Sequence, residues 1–307
     1  MKLQLHGLVA ATHTPFHEDG SLAPEVVPLQ AAHLAKQGIR SAFITGSTGE
    51  AHSLTRDERV AIFKAWAEAG PQHGLTVVAH AGSNCIEDAR YFAAAAADCR
   101  LAAVAALAPS YYKPSTLETL VDCCAAIASA APDLPFYYYD IPVLTGVRFP
   151  MSEFLALAPR RIPNFAGIKF TNDDLDQYGA CLMQDNYDIP WGIDEKLLDA
   201  LQVGSRGAVG SSYNFAAPIY QKLIAAYEAG DIETARGFQN EAIQVIDSLA
   251  AIGYLGAAKA LMGWQGVPVG PARLPLSNPK ASELNALQDQ LAELISLVKN
   301  QEPALSA

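Results

Sequence analysis

Strand-like apolar runs alternate with helix-like amphipathic runs from near the start of the chain to about residue 230, and this alternation constrains the fold more than any other feature. The strand candidates are Gly7 to Thr14, Ser41 to Thr45, Thr76 to Ala81, Ala103 to Ala108, Phe136 to Asp140, Ala166 to Thr171, Pro190 to Asp194 and Gly207 to Ser212. Between them lie Thr55 to Ala69, Glu87 to Cys99, Thr116 to Ala131 and Pro218 to Gly230, with apolar residues at helical spacing and with Thr55 and Thr116 as capping residues. Eight strand-then-helix units predict an α/β fold, a (β/α)8 TIM barrel. No early Gly-x-Gly-x-x-Gly turn follows a strand, which disfavours a doubly wound open sheet.

The barrel is expected to occupy residues 1–230. Residues 231–307 are expected to form a C-terminal helical appendage packed on it: three helix-like stretches interrupted by Gly266-Val267-Pro268-Val269-Gly270-Pro271, then a frayed tail from Gln301 to Ala307. Half of the 307 residues are hydrophobic, enough for a large core. The net charge of -11, without a Lys/Arg cluster, argues against a nucleic-acid surface, and any anionic substrate must be held by local donors.

Met1-Lys2-Leu3-Gln4-Leu5-His6 lacks the long apolar segment of a signal peptide, and no stretch reaches bilayer length, so the expected location is the cytoplasm, away from membranes. The cysteines are Cys85, Cys99, Cys123, Cys124 and Cys181. Their odd number and lack of Cys-x-x-Cys spacing point to a reducing compartment without structural zinc.

Active sites of such barrels lie at the C-terminal strand ends, which here carry Thr12 and Thr14, Gly46-Ser47-Thr48-Gly49-Glu50, His80, Tyr111-Tyr112, Tyr139, Lys169 and Thr171, Asp194-Glu195, and Ser211-Ser212. Lys169 stands in the apolar run Ala166-Gly167-Ile168-Lys169-Phe170-Thr171. It is either an exterior lysine snorkelling between helices or an inward amine, and burial of an amine favours the neutral, nucleophilic form that imine formation needs. Tyr139 ends the run Phe136-Tyr137-Tyr138-Tyr139-Asp140. Consecutive tyrosines are usually packing residues, yet Tyr137 and Tyr139 share a face, and the terminal position of Tyr139 favours it as a proton carrier.

The Gly46 to Glu50 turn lacks the Gly-Lys-Ser/Thr ending of a P-loop and suits a carboxylate better than a phosphate chain. All seven histidines lie between His6 and His80, and His13 and His17 have helical spacing, but Pro15 breaks the helix a metal pair would need. No metal site is expected. Asp194 and Glu195 either cap the helix that starts near Lys196 or contact substrate.

Taken together, Gly46-Ser47-Thr48-Gly49-Glu50, Tyr139-Asp140-Ile141-Pro142-Val143-Leu144-Thr145-Gly146, Gly167-Ile168-Lys169 and Gly207-Ala208-Val209-Gly210-Ser211 resemble the dihydrodipicolinate synthase / N-acetylneuraminate lyase family. The resemblance runs from Gly7-Leu8-Val9-Ala10-Ala11 and Thr14-Pro15-Phe16 to the region around Lys259. It implies a class I aldolase in which Lys169 forms an imine with a 2-keto acid, Tyr139 moves the proton of the cleaved carbon's hydroxyl, and Ser47 and Thr48 hold the pyruvyl carboxylate. No cofactor beyond the imine is implied. Tyr112, or its neighbour Tyr111, resembles the tyrosine that reaches across a subunit interface to join a hydroxyl relay with Ser47 and Tyr139, which implies a homotetramer built as a dimer of dimers.

Within the family, dihydrodipicolinate synthases carry an arginine two residues after the proline of the loop following the tyrosine, where this chain has Leu144. A leucine cannot make the bidentate contact that a second carboxylate favours. Ile141 to Val147 and Trp191-Gly192-Ile193-Asp194-Glu195 instead look like the neuraminate lyase subgroup. That resemblance gives Gly192, Asp194, Glu195, Thr171 and Ser211 the hydroxylated tail of a sugar acid, since carboxylates accept hydrogen bonds from a polyol. The chain departs from it at Asp140, where asparagine or histidine is expected, and at Phe170.

The implied reaction is reversible cleavage of N-acetylneuraminate to pyruvate and N-acetylmannosamine. The rivals are another pyruvate-dependent aldolase or a dehydratase acting on a related 2-keto sugar acid, and a silent keto-acid binder, for which a buried amine beside a phenol has no use.

Overall fold

The computed structural model describes residues 3–184 and 186–300. Among these residues seven parallel strands form one curled sheet: β1 (Gly7–Ala11), β2 (Ser41–Ile44), β3 (Thr76–His80), β4 (Ala103–Leu107), β5 (Phe136–Asp140), β6 (Phe165–Phe170) and β7 (Gly207–Gly210), in the order β6-β5-β4-β3-β2-β1-β7. Nearly every strand residue is buried, as both faces of a parallel sheet wrapped by helices require. One face, with Val9, Phe43, Val78, Ala105, Tyr137 and Val209, fills the barrel interior. The alternate face, with Ala10, Ile44, Ala79, Ala106, Tyr138 and Ile168, packs under the helices.

The run Pro190 to Asp194, expected as a strand, is instead a stave one residue long. Trp191 makes single bridges to Phe170 and Ala208, its N–H donating to the Gly207 carbonyl (2.9 Å) and its carbonyl accepting from the Val209 N–H (2.7 Å). Pro190 has no N–H to extend the ladder, although its carbonyl accepts from Phe170 (2.9 Å), and at Asp194 the chain already turns into a 3-10 helix, Asp194–Lys196. The stave still closes the sheet between β6 and β7, so the architecture is a TIM-type barrel. Similarly, β1 stops at Ala11, although the Thr12 N–H still reaches the Phe43 carbonyl (3.1 Å).

The helices begin where their caps stand. Thr55 accepts from the Glu58 N–H while Glu58 reaches back, a capping box that opens Arg56–Gln72, and Thr116 accepts from the Thr119 N–H (3.1 Å) to open Leu117–Ala128. Each cap is worth about 1 kcal/mol.

After the last barrel helix, Ala217–Glu228, helix Ile232–Ala250 packs along it, and Tyr254–Trp264 leaves at 111° to its predecessor. The expected third helix is two, Ala281–Gln290 and Ala292–Lys299, parted at Leu291, where ψ is 14°. The tail expected from Gln301 lies outside the described residues. Among the described residues no single helix is long and apolar enough to cross a membrane.

Candidate active site

Strand register brings the two central residues together. β5 and β6 pair with Tyr139 opposite Lys169, so both side chains leave the sheet on one face, and that face is the barrel interior. Ile168 and Phe170, flanking Lys169, point to the helices. The lysine is therefore the inward amine, with 4% of its surface exposed, and its Nζ lies 4.0 Å from the Tyr139 ring centroid and 4.4 Å from that of Phe43. Phe43 and His80 both meet the Tyr139 ring edge-on, at 5.7 Å between centroids, which fixes the direction of its hydroxyl.

That hydroxyl lies 3.5 Å from Ser47 Oγ, at the long limit of a hydrogen bond. Ser47 and Thr48 sit in a turn bounded by Thr45 (φ 51°) and Glu50 (φ 52°), left-handed conformations rare outside glycine. Gly49 lies so close to the preceding turn that a Cβ there would stand 2.8 Å from Thr45 Cα, so only glycine fits.

A cavity of about 770 Å³ opens above this group, lined on one side by Ser47, Thr48, Tyr139 and Lys169 and on the other by Thr171, Gly192, Asp194, Glu195 and Ser211. Thr171 Oγ1 is buried with no partner among the described residues, and a Cβ at Gly192 would stand 1.9 Å from it. Asp194 caps neither Asp194–Lys196 nor the helix after it. Its Oδ2 accepts from the N–H (2.9 Å) and hydroxyl (2.5 Å) of Ser212, tying the stave to the end of β7, while Glu195 stands exposed at the rim. Burial pushes the Asp194 carboxyl up to about 6, with the Ser212 bonds opposing and the Glu195 charge adding.

The structure does not bring every expected residue here. Tyr112 and Tyr111 stack edge-on against each other on the loop after β4, 85% and 77% exposed, outside the cavity of their own chain. His13 is buried while His17 faces Glu25 at the surface, so they do not converge, and no group of three metal-binding side chains occurs among the described residues.

Other residues enter unannounced by the sequence. Tyr254, from the first turn of Tyr254–Trp264, reaches back over the barrel to share a 2.7 Å hydrogen bond with Ser211, and Arg148 and Asn172 complete the wall. Arg148 stands one residue beyond the Ile141 to Val147 run that the sequence singles out. For Tyr254 there was no signal, because nothing local says where a C-terminal helix docks.

The dihydrodipicolinate synthetase family profile matches residues 4–294. The chain belongs to this family. As a member of the dihydrodipicolinate synthetase family it is 36% identical over 296 residues to the N-acetylneuraminate lyase of Xenopus tropicalis, covering 95% of this chain and 97% of that one. It is 35% identical to the N-acetylneuraminate lyase of Homo sapiens, covering 95% and 93%. Among solved structures, the N-acetylneuraminate lyase of Proteus mirabilis superposes with a TM-score of 0.92 at 34% identity, covering 95% of this chain and 99% of that one.

Against that family background the loop after Tyr139 reads clearly. Leu144 is 60% exposed and does not line the cavity, whereas its neighbours Pro142 and Val143 do.

Asp140, on the helix-facing side of β5, is buried, and its Oδ2 has no partner among the described residues. Burial pushes its carboxyl up to about 7, opposed by a hydrogen bond from Asn172 and by the Arg148 charge. A carboxyl raised above its unfolded value binds more protons in the native state. Its contribution is therefore full below about pH 4 and is lost as pH rises through about 7. Asp140→Asn removes this loss, and its melting temperature, compared with that of the unsubstituted protein at pH 5 and pH 8, should fall less on going to pH 8. The corresponding difference in unfolding free energy is of order a few kcal/mol, and equal falls of melting temperature in the two proteins would contradict it.

Proposed function

We propose that this chain is a Schiff-base aldolase that reversibly cleaves N-acetylneuraminate to pyruvate and N-acetylmannosamine. The observation that carries the reading is the inward Lys169 paired in register with Tyr139 at the floor of one cavity. The lysine amine attacks the C2 carbonyl of the open-chain sugar acid, and loss of water leaves a protonated imine. Tyr139 removes the C4 hydroxyl proton, the C3–C4 bond breaks, and its electron pair flows into the imine to give an enamine. N-acetylmannosamine leaves as the aldehyde. The enamine then takes a proton at C3, and water releases pyruvate from Lys169. The imine is the electron sink, so the reaction as written calls for no metal or organic cofactor.

Ser47 and Thr48 receive the carboxylate with hydroxyls and backbone N–H groups. Thr171, Gly192, Asp194, Glu195 and Ser211 receive the polyol and acyl group across the cavity. The placement separates the acids from the carboxylate end, which limits like-charge repulsion. Leu144 stands outside the cavity and offers no guanidinium at the loop position where a second carboxylate would be held, Arg148 being a cation of the wall instead, and the names of the N-acetylneuraminate lyase relatives support the sugar acid as substrate. The working assembly in this reading is a cytoplasmic homotetramer in which Tyr112 of one subunit completes the relay of another. The exposure of Tyr112 and the five free cysteines support it.

Pyruvate release from N-acetylneuraminate, followed with a coupled reductase, tests the proposal. Borohydride in the presence of pyruvate should fix one pyruvyl mass on Lys169. Release from a shorter keto-deoxy acid but not from N-acetylneuraminate would favour a related aldolase instead. Gly192→Ala should push Thr171 Oγ1 out of place and raise KM for the sugar acid about 10-fold or more, while pyruvate trapping on Lys169 stays as it was. An unchanged KM would detach Gly192 and Thr171 from the tail site.

A further inference from the structure

The turn that carries Ser47 and Thr48 is held from below by a buried ion pair. Glu50 Oε1 lies 2.8 Å from Lys259 Nζ, with both side chains wholly inaccessible to solvent, and Glu50 Oε2 accepts from the Arg273 N–H (2.7 Å). Lys259 spends its other two hydrogens on the carbonyls of Thr14 (3.0 Å) and Pro271 (2.7 Å). Thr14 in turn donates its hydroxyl to the Gly49 carbonyl (2.6 Å). Helix Tyr254–Trp264 is thus bonded to the end of the turn at Glu50 and, through Thr14, to Gly49. Five residues before Lys259 on this helix, Tyr254 touches Ser211 at the opposite wall of the cavity.

A buried ion pair contributes little net stability, because desolvation of the two charges offsets their attraction. What it does supply is a fixed position for the groups it joins, in a turn that already holds Thr45 and Glu50 in left-handed conformations. We propose that Glu50 and Lys259 are positioning residues that hold the Ser47–Thr48 turn in the geometry that receives the substrate carboxylate, making the C-terminal helix part of the carboxylate site. The proposal rests on the aldolase reading of that site.

The charged and titratable groups facing Lys259 are Glu50 from the turn after β2, Arg273 from the segment after its own helix, and His13 from the segment after β1. Burial holds His13 down to about 3, so it is neutral over the working range. Burial also holds Lys259 down to about 8, with Glu50 opposing. Above that pH the ammonium loses the proton that binds it to Glu50, and removal of the Glu50 charge moves the loss to lower pH.

The test uses Glu50→Gln and the double variant Glu50→Gln/Lys259→Met, which removes both charges and so avoids the unpaired buried ammonium of the single variant. Both are assayed by the pyruvate concentration that half-saturates borohydride trapping on Lys169 and by the pH profile of kcat/KM. The expected result is an increase of about 10-fold in half-saturating pyruvate for each, with full trapping at saturation, and for Glu50→Gln an alkaline limb displaced toward neutral pH. A double variant that melts like the unsubstituted protein and keeps its half-saturation value would overturn the positioning role while leaving the aldolase reading intact. Absence of any adduct in the unsubstituted protein would overturn both.

Discussion

Lys169→Ala should reduce pyruvate release from N-acetylneuraminate by about four orders of magnitude or more, the scale on which loss of a covalent nucleophile is felt. The geometry offers no substitute. Among the amines near the cavity, Lys196 faces Asp173 at the rim (3.8 Å), and Lys259 is enclosed beneath the Ser47–Thr48 turn. The substitution should leave the fold intact, because Lys169 packs on the faces of Phe43 and Tyr139, and Asp194, the buried carboxyl that feels its charge, keeps both bonds from Ser212. Lys169→Arg should be equally inactive, since a guanidinium stays protonated and forms no imine. Melting curves alongside the coupled assay separate loss of chemistry from loss of structure. Turnover surviving in either variant would contradict the imine route.

Tyr139→Phe should lower kcat by about 10²–10⁴-fold, the usual contribution of a positioned acid or base, while pyruvate still becomes trapped on Lys169 under borohydride. The variant removes one oxygen and keeps the ring, so the edge-on contacts with Phe43 and His80 that shape the cavity floor persist. What disappears is the hydroxyl 3.5 Å from Ser47 Oγ, and with it the route for the proton of the cleaved carbon. Trapping and turnover should therefore part company. If both were lost equally, Tyr139 would serve the formation of the imine rather than the cleavage that follows it.

Much of this was legible in the chain. Apolar runs and helical spacing mark strands and helices, and caps such as Thr55 and Thr116 mark where helices begin, because both signals are local. The Pro190 to Asp194 stave is shorter than its sequence implies, since a run that is apolar on both sides looks like a strand whether or not its N–H groups can extend a ladder. For Asp194 the sequence leaves a cap and a substrate contact open, and its tie to Ser212 is not legible because that donor comes from the end of another strand. Tyr254, Lys259 and Arg273 lay in the segment read as an appendage, and each acts through partners that are far away in sequence.

The sequence by itself determined that a lysine and a tyrosine stand near the C-terminal ends of two successive strand-like runs of an α/β barrel, because apolar runs and their succession along the chain are local signals. Only the tertiary structure decided that the two share the interior face in register, that the tail acids stand across the cavity from the carboxylate turn, and that a helix near the C-terminus pins that turn from below. Those are long-range juxtapositions, set by how the sheet closes and where the last helices dock, and no window of the chain contains both partners.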